Sequence, residues 1–250
     1  MRCFGLIGFP LTHSFSEKYF TDLFREKGLS DLASYKTYPL EDISELPQWL
    51  ENHPEVCGLN VTIPYKISVL RYLHHIDPVA HAVGAVNTIC ITKAKGKMIL
   101  TGYNTDVVGF EKTLDKLPGF CNALILGTGG AARAVAFVLQ KRNIPFTLVS
   151  RKPGGSGVIT YGQITSEVMD QHPCIIQTTP LGTFPDTTGK PPIPYEHISP
   201  HHILYDLTYN PEKTVFLQEG EKRGAVILNG YPMLVSQADE SWRIWRHSFF

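Results

Sequence analysis

The 250-residue sequence predicts an α/β protein of two domains. Three observations carry that prediction. Strand-like apolar runs alternate with helix-like ones almost throughout, which is the pattern of parallel α/β architecture. The alternation restarts near residue 103, after a hairpin-like pair of runs. In the second half a glycine-rich turn, Gly127-Thr128-Gly129-Gly130-Ala131-Ala132, stands between a wholly apolar strand and a helix.

Residues 3–8 read as the first strand. Tyr19, Phe20, Leu23 and Phe24 follow at helical spacing, and Gly28 stops them. Residues 33–38 form a second strand ended by Pro39, and Ile43, Leu46 and Leu50 mark a short helix. A strand to Asn60 then meets Pro64, which cannot extend a strand ladder but can open a helix. Residues 85–92 and 98–101 read as a hairpin about Lys95-Gly96-Lys97. Beyond the restart, a helix over 107–117 leads to the apolar strand 123–126, the glycine-rich turn and a helix over 134–140. Strands recur at 146–150, 174–178, 203–206 and 225–228, with a loop at 153–157 and a helix over 214–223. The stretch 233–246 is an amphipathic helix with Leu234, Ala238, Trp242 and Trp245 near one face.

Composition removes several function classes. Lys+Arg and Asp+Glu are 23 each, so no polyanion or membrane-surface partner is implied. The five cysteines, Cys3, Cys57, Cys90, Cys121 and Cys174, are scattered and include no C-x-x-C pair. That argues for thiols in a reducing compartment and against a disulfide frame or a metal site. No apolar run approaches the ~20 residues that span a bilayer, and no signal-peptide pattern opens the chain. The expected location is cytoplasmic.

The polar residues that interrupt this pattern are the candidates for chemistry. Asn60-Val61-Thr62-Ile63-Pro64-Tyr65-Lys66 leaves a strand and offers an amide, a hydroxyl and an amine, a set suited to a polyhydroxylated ligand. The competing reading is a proline-started helix with a solvated lysine. Ser14 and Ser16 lie in the turn after the first strand, where Ser14 and Glu17 form a capping box or a hydroxyl pair meets a carboxylate ligand. Asn87 interrupts an apolar strand, where a buried amide needs partners. Asp106, ahead of the helix at Val107, is either its N-cap or a carboxylate that orients and tunes Lys66.

Gly127-x-Gly129-x-x-Ala132 has the dinucleotide fingerprint in its required strand-turn-helix context. Gly127 permits the tight turn and Gly129 lets the backbone approach a pyrophosphate. The helix start, with Gly130, Ala131 and Ala132, supplies N–H groups and positive potential. The next strand ends in Ser150-Arg151-Lys152, where a carboxylate would favour NAD. A guanidinium there pairs with a 2′-phosphate, which favours NADP(H).

With these residues in view, the chain resembles the shikimate dehydrogenase family along its whole length. The blocks that carry the resemblance are Ser14-x-Ser16, the heptapeptide 60–66, Gly84-Ala85-Val86-Asn87-Thr88 and Gly102-Tyr103-Asn104-Thr105-Asp106. The Gly127–Ala132 turn, Thr179-Pro180-Leu181-Gly182, Asp206-Leu207-Thr208-Tyr209-Asn210-Pro211 and Gly230-Tyr231-Pro232-Met233-Leu234-Val235-x-Gln237-Ala238 complete the set, in family order. The resemblance implies NADPH-dependent, reversible reduction of 3-dehydroshikimate to shikimate in aromatic amino-acid biosynthesis. It implies a substrate-binding domain over 1–102, a Rossmann-type NADP-binding domain over 103–228, and a C-terminal helix, 229–250, packing back on the first domain.

On the substrate side it implies Ser14 and Ser16 on the carboxylate, and Thr62, Asn87, Asp106 and Gln237 on ring hydroxyls. Asn60 and Tyr209 would complete the pocket, with Lys66 as the catalytic lysine beside Asp106. On the cofactor side, Thr179, Gly230 and Met233 would join the glycine-rich turn and Ser150-Arg151-Lys152. No metal, nucleic acid or membrane is implied, and the assembly is a monomer or homodimer. The chain departs from the family after Lys152, where Pro153-Gly154-Gly155-Ser156-Gly157 makes a short segment. Two other readings are a quinate/shikimate dehydrogenase using NAD and a non-catalytic dinucleotide or ligand sensor of the same fold.

Overall fold

The computed structural model describes residues 1–11 and 15–247, which form two compact α/β units. One comprises Met1–Thr105 with Ala238–Phe250, the other Asp106–Gln237.

The first unit runs β1 (Arg2–Gly8), α1 (Phe15–Glu26), β2 (Ala33–Pro39), α2 (Leu46–Asn52), β3 (Val56–Val61), β4 (His75–Ile76), α3 (Pro78–Val83), β5 (Thr88–Ala94) and β6 (Lys97–Tyr103). These strands make a mixed six-stranded sheet in the order β2-β1-β3-β5-β6-β4. Strands β2, β1 and β3 are parallel, and β5 and β6 pair antiparallel as a hairpin. That hairpin turns on Lys95 and Gly96, both at positive φ (50° and 77°), the backbone that matches the twist of two-residue hairpins. Helix α3 was not legible as periodicity, being six residues long. Its signals are local: the Asp77 side chain caps Val79 N–H, Pro78 opens it, and Gly84 closes it at φ 66°.

Pro64 does not open a helix. A turn closed by Tyr65 N–H on the Thr62 carbonyl (2.9 Å) follows β3, and the next helical turn is a 3₁₀ segment at Ser68–Tyr72. The Tyr65 side chain is buried beneath that turn, its hydroxyl donating to the carbonyls of Leu40 and Glu41. Asn87 likewise lies just ahead of β5 and not within it.

The second unit runs α4 (Thr105–Leu114), β7 (Ala123–Leu126), α5 (Gly130–Lys141), β8 (Phe146–Ser150), β9 (Val158–Thr160), α6 (Ser166–Gln171), β10 (Cys174–Gln177), β11 (Ile203–Asp206), α7 (Val215–Glu221), β12 (Val226–Leu228) and α8 (Tyr231–Arg246). Its six strands are parallel throughout, in the order β12-β11-β10-β7-β8-β9. Every residue of β7 and β10 is buried, as central strands covered on both faces require. The chain order reverses between β7 and β10, so the crevice at their carboxyl ends is the topological switch point.

Helix α8 begins in the second unit and ends in the first. Its last three turns pack there by Ala238, Trp242 and Trp245 against Phe4, Phe20, Phe24 and Tyr35. The Trp245 ring stacks on Phe4 at 4.9 Å, and its Nε1 donates to the Ile89 carbonyl at 2.9 Å. The indole occupies the space a side chain at position 58 would need, so Gly58 is the residue that lets it in. The opposite face of the sheet holds an aliphatic core of Ile7, Leu46, Leu59, Val69 and Ile89.

Among the described residues no helix is long and apolar enough to cross a membrane, and no group of three His, Cys, Asp or Glu side chains could hold a metal ion. All five cysteines are thiols outside any disulfide.

Candidate active site

In the first unit the singled-out residues gather at the carboxyl edge of β1 and β3. Thr62 and Lys66 follow β3 and are half-buried. The Lys66 carbonyl accepts Val86 N–H at 2.7 Å, and Thr62 N–H donates to the Ile7 carbonyl at 3.0 Å. Strand β1 and the loop ahead of β5 therefore hold the backbone on either side of Pro64. Ser16 lies in the first turn of α1 and is half-buried. Ser14 lies outside the described residues.

Asn87 is buried and spends its amide on Thr105. Thr105 N–H donates to its Oδ1 at 2.6 Å, and its Nδ2 donates to Thr105 Oγ1 at 2.9 Å. Asn87 thus caps α4 from a distance, and Asp106 is not the cap: it sits buried inside the first helical turn.

Asn60 is held from within the first unit. Its amide faces inward: Nδ2 donates to Ser241 Oγ (3.0 Å), Thr88 Oγ1 (3.1 Å) and the Asn87 carbonyl (3.3 Å). Its Oδ1 accepts from the Tyr35 hydroxyl at 2.8 Å. Both ends of the amide are thus engaged within the first unit, and the residue is 5 % exposed. The partners that hold it, Tyr35, Thr88 and Ser241, were missed in the sequence. The available signal was Ser241, a hydroxyl on the face of α8 that otherwise carries Ala238, Trp242 and Trp245.

In the second unit the cofactor candidates line the carboxyl edge of the parallel sheet. Gly127 has φ 120°, and a Cβ there would lie 2.6 Å from Thr178 Oγ1, so glycine is required by backbone and by space. Thr178 belongs to the turn after β10, and its hydroxyl donates to the Leu126 carbonyl at 2.6 Å. The two turns flanking the switch point are thereby tied together. Around Gly129 nothing lies within 4 Å of a would-be Cβ. Helix α5 starts at Gly130, four residues earlier than its apolar periodicity indicates, and its first internal bond runs from Arg133 N–H to the Gly129 carbonyl. The N–H groups of Gly130, Ala131 and Ala132 precede that bond and head a twelve-residue helix. A dinucleotide pyrophosphate fits this edge.

Ser150 ends β8 half-buried, and Arg151 and Lys152 beyond it are exposed. Ser150 Oγ accepts Lys152 N–H at 3.3 Å. Thr179 is tied by N–H and hydroxyl to Gln177 Oε1 (3.2 and 3.0 Å), while the buried Gln177 Nε2 has no hydrogen-bond partner among the described residues. Gly230 packs directly on the Leu207 carbonyl, and its N–H donates to the Thr208 carbonyl at 3.0 Å. Tyr209 and Gln237 are half-buried, Gln237 donating to the Leu234 carbonyl at 3.0 Å, and Met233 is buried. The Met233 carbonyl lies 2.7 Å from where Gly109 would carry a Cβ, so α8 meets α4 at a glycine.

Asp206 ends β11 fully buried. Its carboxylate accepts from Thr208 N–H (2.9 Å) and the Thr214 hydroxyl (2.6 Å). Burial pushes its pKa up to about 6, more than those two donors pull it down.

Together these features define a two-unit α/β protein that pairs a dinucleotide-binding parallel sheet with a mixed sheet carrying a polar edge. A family model described as "Shikimate dehydrogenase substrate binding domain" matches residues 6–89. The shikimate dehydrogenase (NADP(+)) of Methanococcus maripaludis is 38% identical over 265 residues, spanning 98% of this chain and 91% of its own. Shikimate dehydrogenase 1 from Peptoclostridium difficile superposes with a TM-score of 0.85 at 33% identity, covering 99% of this chain and 92% of its own. The Thermus thermophilus enzyme, solved in complex with NADP(H) and shikimate, gives 0.83 at 30% identity, covering 99% and 94%. The chain belongs to the shikimate dehydrogenase family.

Proposed function

We propose that the protein is an NADP-dependent shikimate dehydrogenase, catalysing the reversible reduction of 3-dehydroshikimate to shikimate in aromatic amino-acid biosynthesis. The observation that carries this reading is the full-length likeness to the Methanococcus enzyme. NADPH supplies the hydride for the ring carbonyl carbon when bound. Lys66 supplies positive charge and a proton to the carbonyl oxygen. Thr62, Asn87, Asp106 and Gln237 hold ring hydroxyls, Ser14 and Ser16 hold the carboxylate, and Tyr209 lines the pocket.

The glycine-rich turn, Thr179, Gly230 and Met233 hold the dinucleotide. Ser150, Arg151 and Lys152 read its 2′-phosphate by charge. The chain acts in the cytoplasm, as a monomer or a homodimer.

The test is the initial rate of NADP⁺ reduction with shikimate and with quinate, repeated with NAD⁺. Activity confined to shikimate and NADP⁺ is expected. Comparable rates with NAD⁺ would remove the role given to Arg151 and Lys152. A folded protein inactive with every pair would overturn the enzyme reading in favour of a sensor.

A further inference from the structure

The peptide that joins β7 to the glycine-rich turn is held from both sides. The Leu126 carbonyl accepts two bonds from one residue, Thr178: its N–H at 3.0 Å and its hydroxyl at 2.6 Å. On the other side, Gly127 N–H donates to the Val149 carbonyl at 2.9 Å. The two N–H bonds continue the ladders that β10 and β8 make with β7, as a central strand requires. The hydroxyl bond is additional, and its sense is fixed, because a carbonyl oxygen only accepts. The turn also rests on this side chain and the next: a Cβ at Gly127 would lie 2.6 Å from Thr178 Oγ1 and 3.1 Å from Thr179 Cγ2. Two residues further on, Gly129 has open space around it.

The segment that carries Thr178 is itself braced. Gln177 Oε1 accepts the N–H and the hydroxyl of Thr179, and the Gln177 carbonyl accepts Leu207 N–H at 3.0 Å. Branching at Cβ restricts the Thr178 rotamer further. The ladder bond already satisfies the Leu126 carbonyl, so the fold does not require the hydroxyl. What the hydroxyl adds is a fixed tilt for the Leu126–Gly127 peptide, immediately ahead of a backbone at φ 120°. Amides that must converge on a pyrophosphate bind it less tightly when their turn has to be ordered on binding. We propose that Thr178 is a positioning residue of the dinucleotide site, its hydroxyl setting the angle at which the glycine-rich turn presents its N–H groups to the pyrophosphate. The proposal rests on the reading that this turn binds NADP(H).

Two variants separate the hydroxyl from the rest of the side chain. Thr178→Ala removes it, and Thr178→Ser keeps it without the methyl group. Loss of one net hydrogen bond should raise KM for NADP⁺ and the dissociation constant of NADPH about fivefold in Thr178→Ala, equivalent to about 1 kcal/mol. Its kcat, and its KM for shikimate at saturating NADP⁺, should stay within about twofold of wild type. Thr178→Ser should return NADPH affinity to within about twofold of wild type, since it restores the donor. NAD⁺ carries the same pyrophosphate without the 2′-phosphate. The ratio of kcat/KM for NADP⁺ to that for NAD⁺ should therefore stay within about twofold of wild type in Thr178→Ala.

Wild-type NADPH affinity in Thr178→Ala would overturn the proposal. So would an alanine-like loss in Thr178→Ser, which would place the effect in methyl packing. A shifted NADP⁺-to-NAD⁺ ratio would place it at the 2′-phosphate, and a shikimate KM raised as much as that for NADP⁺ would mean general loosening; either rejects the role given to the hydroxyl. A folded wild type that binds no NADPH would overturn the dinucleotide reading itself, and the proposal with it.

Discussion

Thr105 gives its backbone N–H to the side-chain oxygen of Asn87 at 2.6 Å, so a residue 18 positions earlier caps helix α4. The same amide returns a bond to the Thr105 hydroxyl at 2.9 Å. Truncation to Asn87→Ala strands the buried N–H of Thr105, whose hydroxyl keeps Thr88 and Ser241 within 3.2 Å, and should lower unfolding free energy by about 1–3 kcal/mol. Asn87→Asp keeps the acceptor and places negative charge at a helix start, so it should lose less. Urea denaturation decides: an alanine variant as stable as wild type would show that the cap contributes nothing.

Lys66→Ala should cost turnover and spare the dinucleotide. Removing a positioned proton donor typically lowers rate by about 10²–10⁴. Lys66 belongs to the first unit, and the parallel sheet with its glycine-rich turn to the second. NADPH fluorescence titration should therefore give a near-native affinity for a variant with almost no shikimate oxidation. Near-native turnover would reject the role of Lys66.

At the end of β8 the test is selectivity. Arg151 is exposed, and its place in the reading is to pair with a 2′-phosphate. A charge-assisted bond is worth about 1.5–3 kcal/mol, so Arg151→Ala should weaken NADP(H) by roughly ten- to a hundredfold and leave NAD(H) nearly unchanged. Equal losses for the two cofactors would mean that the guanidinium does not read the phosphate.

Much of the fold was legible because burial writes itself as apolar runs. Residues 123–126, 146–150 and 203–206 were read at the bounds the strands have, since each lies in a parallel sheet. Elements too short for a period were missed, such as β9 with three residues and α3 with six. The start of α5 was placed late because a helix opening on glycine has no apolar stripe in its first turn. The site was legible as residue types but not as directions. Asn60 was rightly marked as an unusual polar residue, yet nothing in its own stretch says that Tyr35, Thr88 and Ser241 wait on the inner side. Such partners come from strands and a helix remote in sequence.

The two glycines of the turn separate stability from binding. At Gly127, with φ 120° and a would-be Cβ 2.6 Å from Thr178 Oγ1, alanine is strained and crowded. Gly127→Ala should lower stability by about 1–3 kcal/mol even without cofactor. Gly129 has φ −78° and nothing within 4 Å of a would-be Cβ. Gly129→Ala should leave the protein as stable or raise it by about 0.4–1 kcal/mol, through the unfolded chain. If the backbone there must approach a pyrophosphate, that same stable variant should bind NADP(H) at least tenfold more weakly. Unchanged affinity in Gly129→Ala would reject the close approach.

Asp206 and Glu111 make opposite contributions to stability as pH changes. Burial pushes Glu111 up, but hydrogen bonds and charge from Lys141 (3.0 Å) and Arg142 (3.1 Å) outweigh it, so its pKa is lowered on folding. Glu111 therefore stabilises above its unfolded pKa, and that contribution is lost as pH falls through the folded value. Asp206 is the reverse: burial raises it from 3.8 to about 6, so in that window the folded state binds more proton than the unfolded one. Its contribution is most favourable below about 4 and declines as pH rises, levelling above about 6, with a total change of about 3 kcal/mol. Asp206→Asn fixes the side chain in a neutral form and removes this slope, while adding a constant loss at Thr214. The difference in unfolding free energy between variant and wild type should therefore move in favour of asparagine from pH 4 to pH 7. A difference that stays flat over that range would mean that Asp206 titrates as an ordinary carboxylate, and that its burial is relieved in solution.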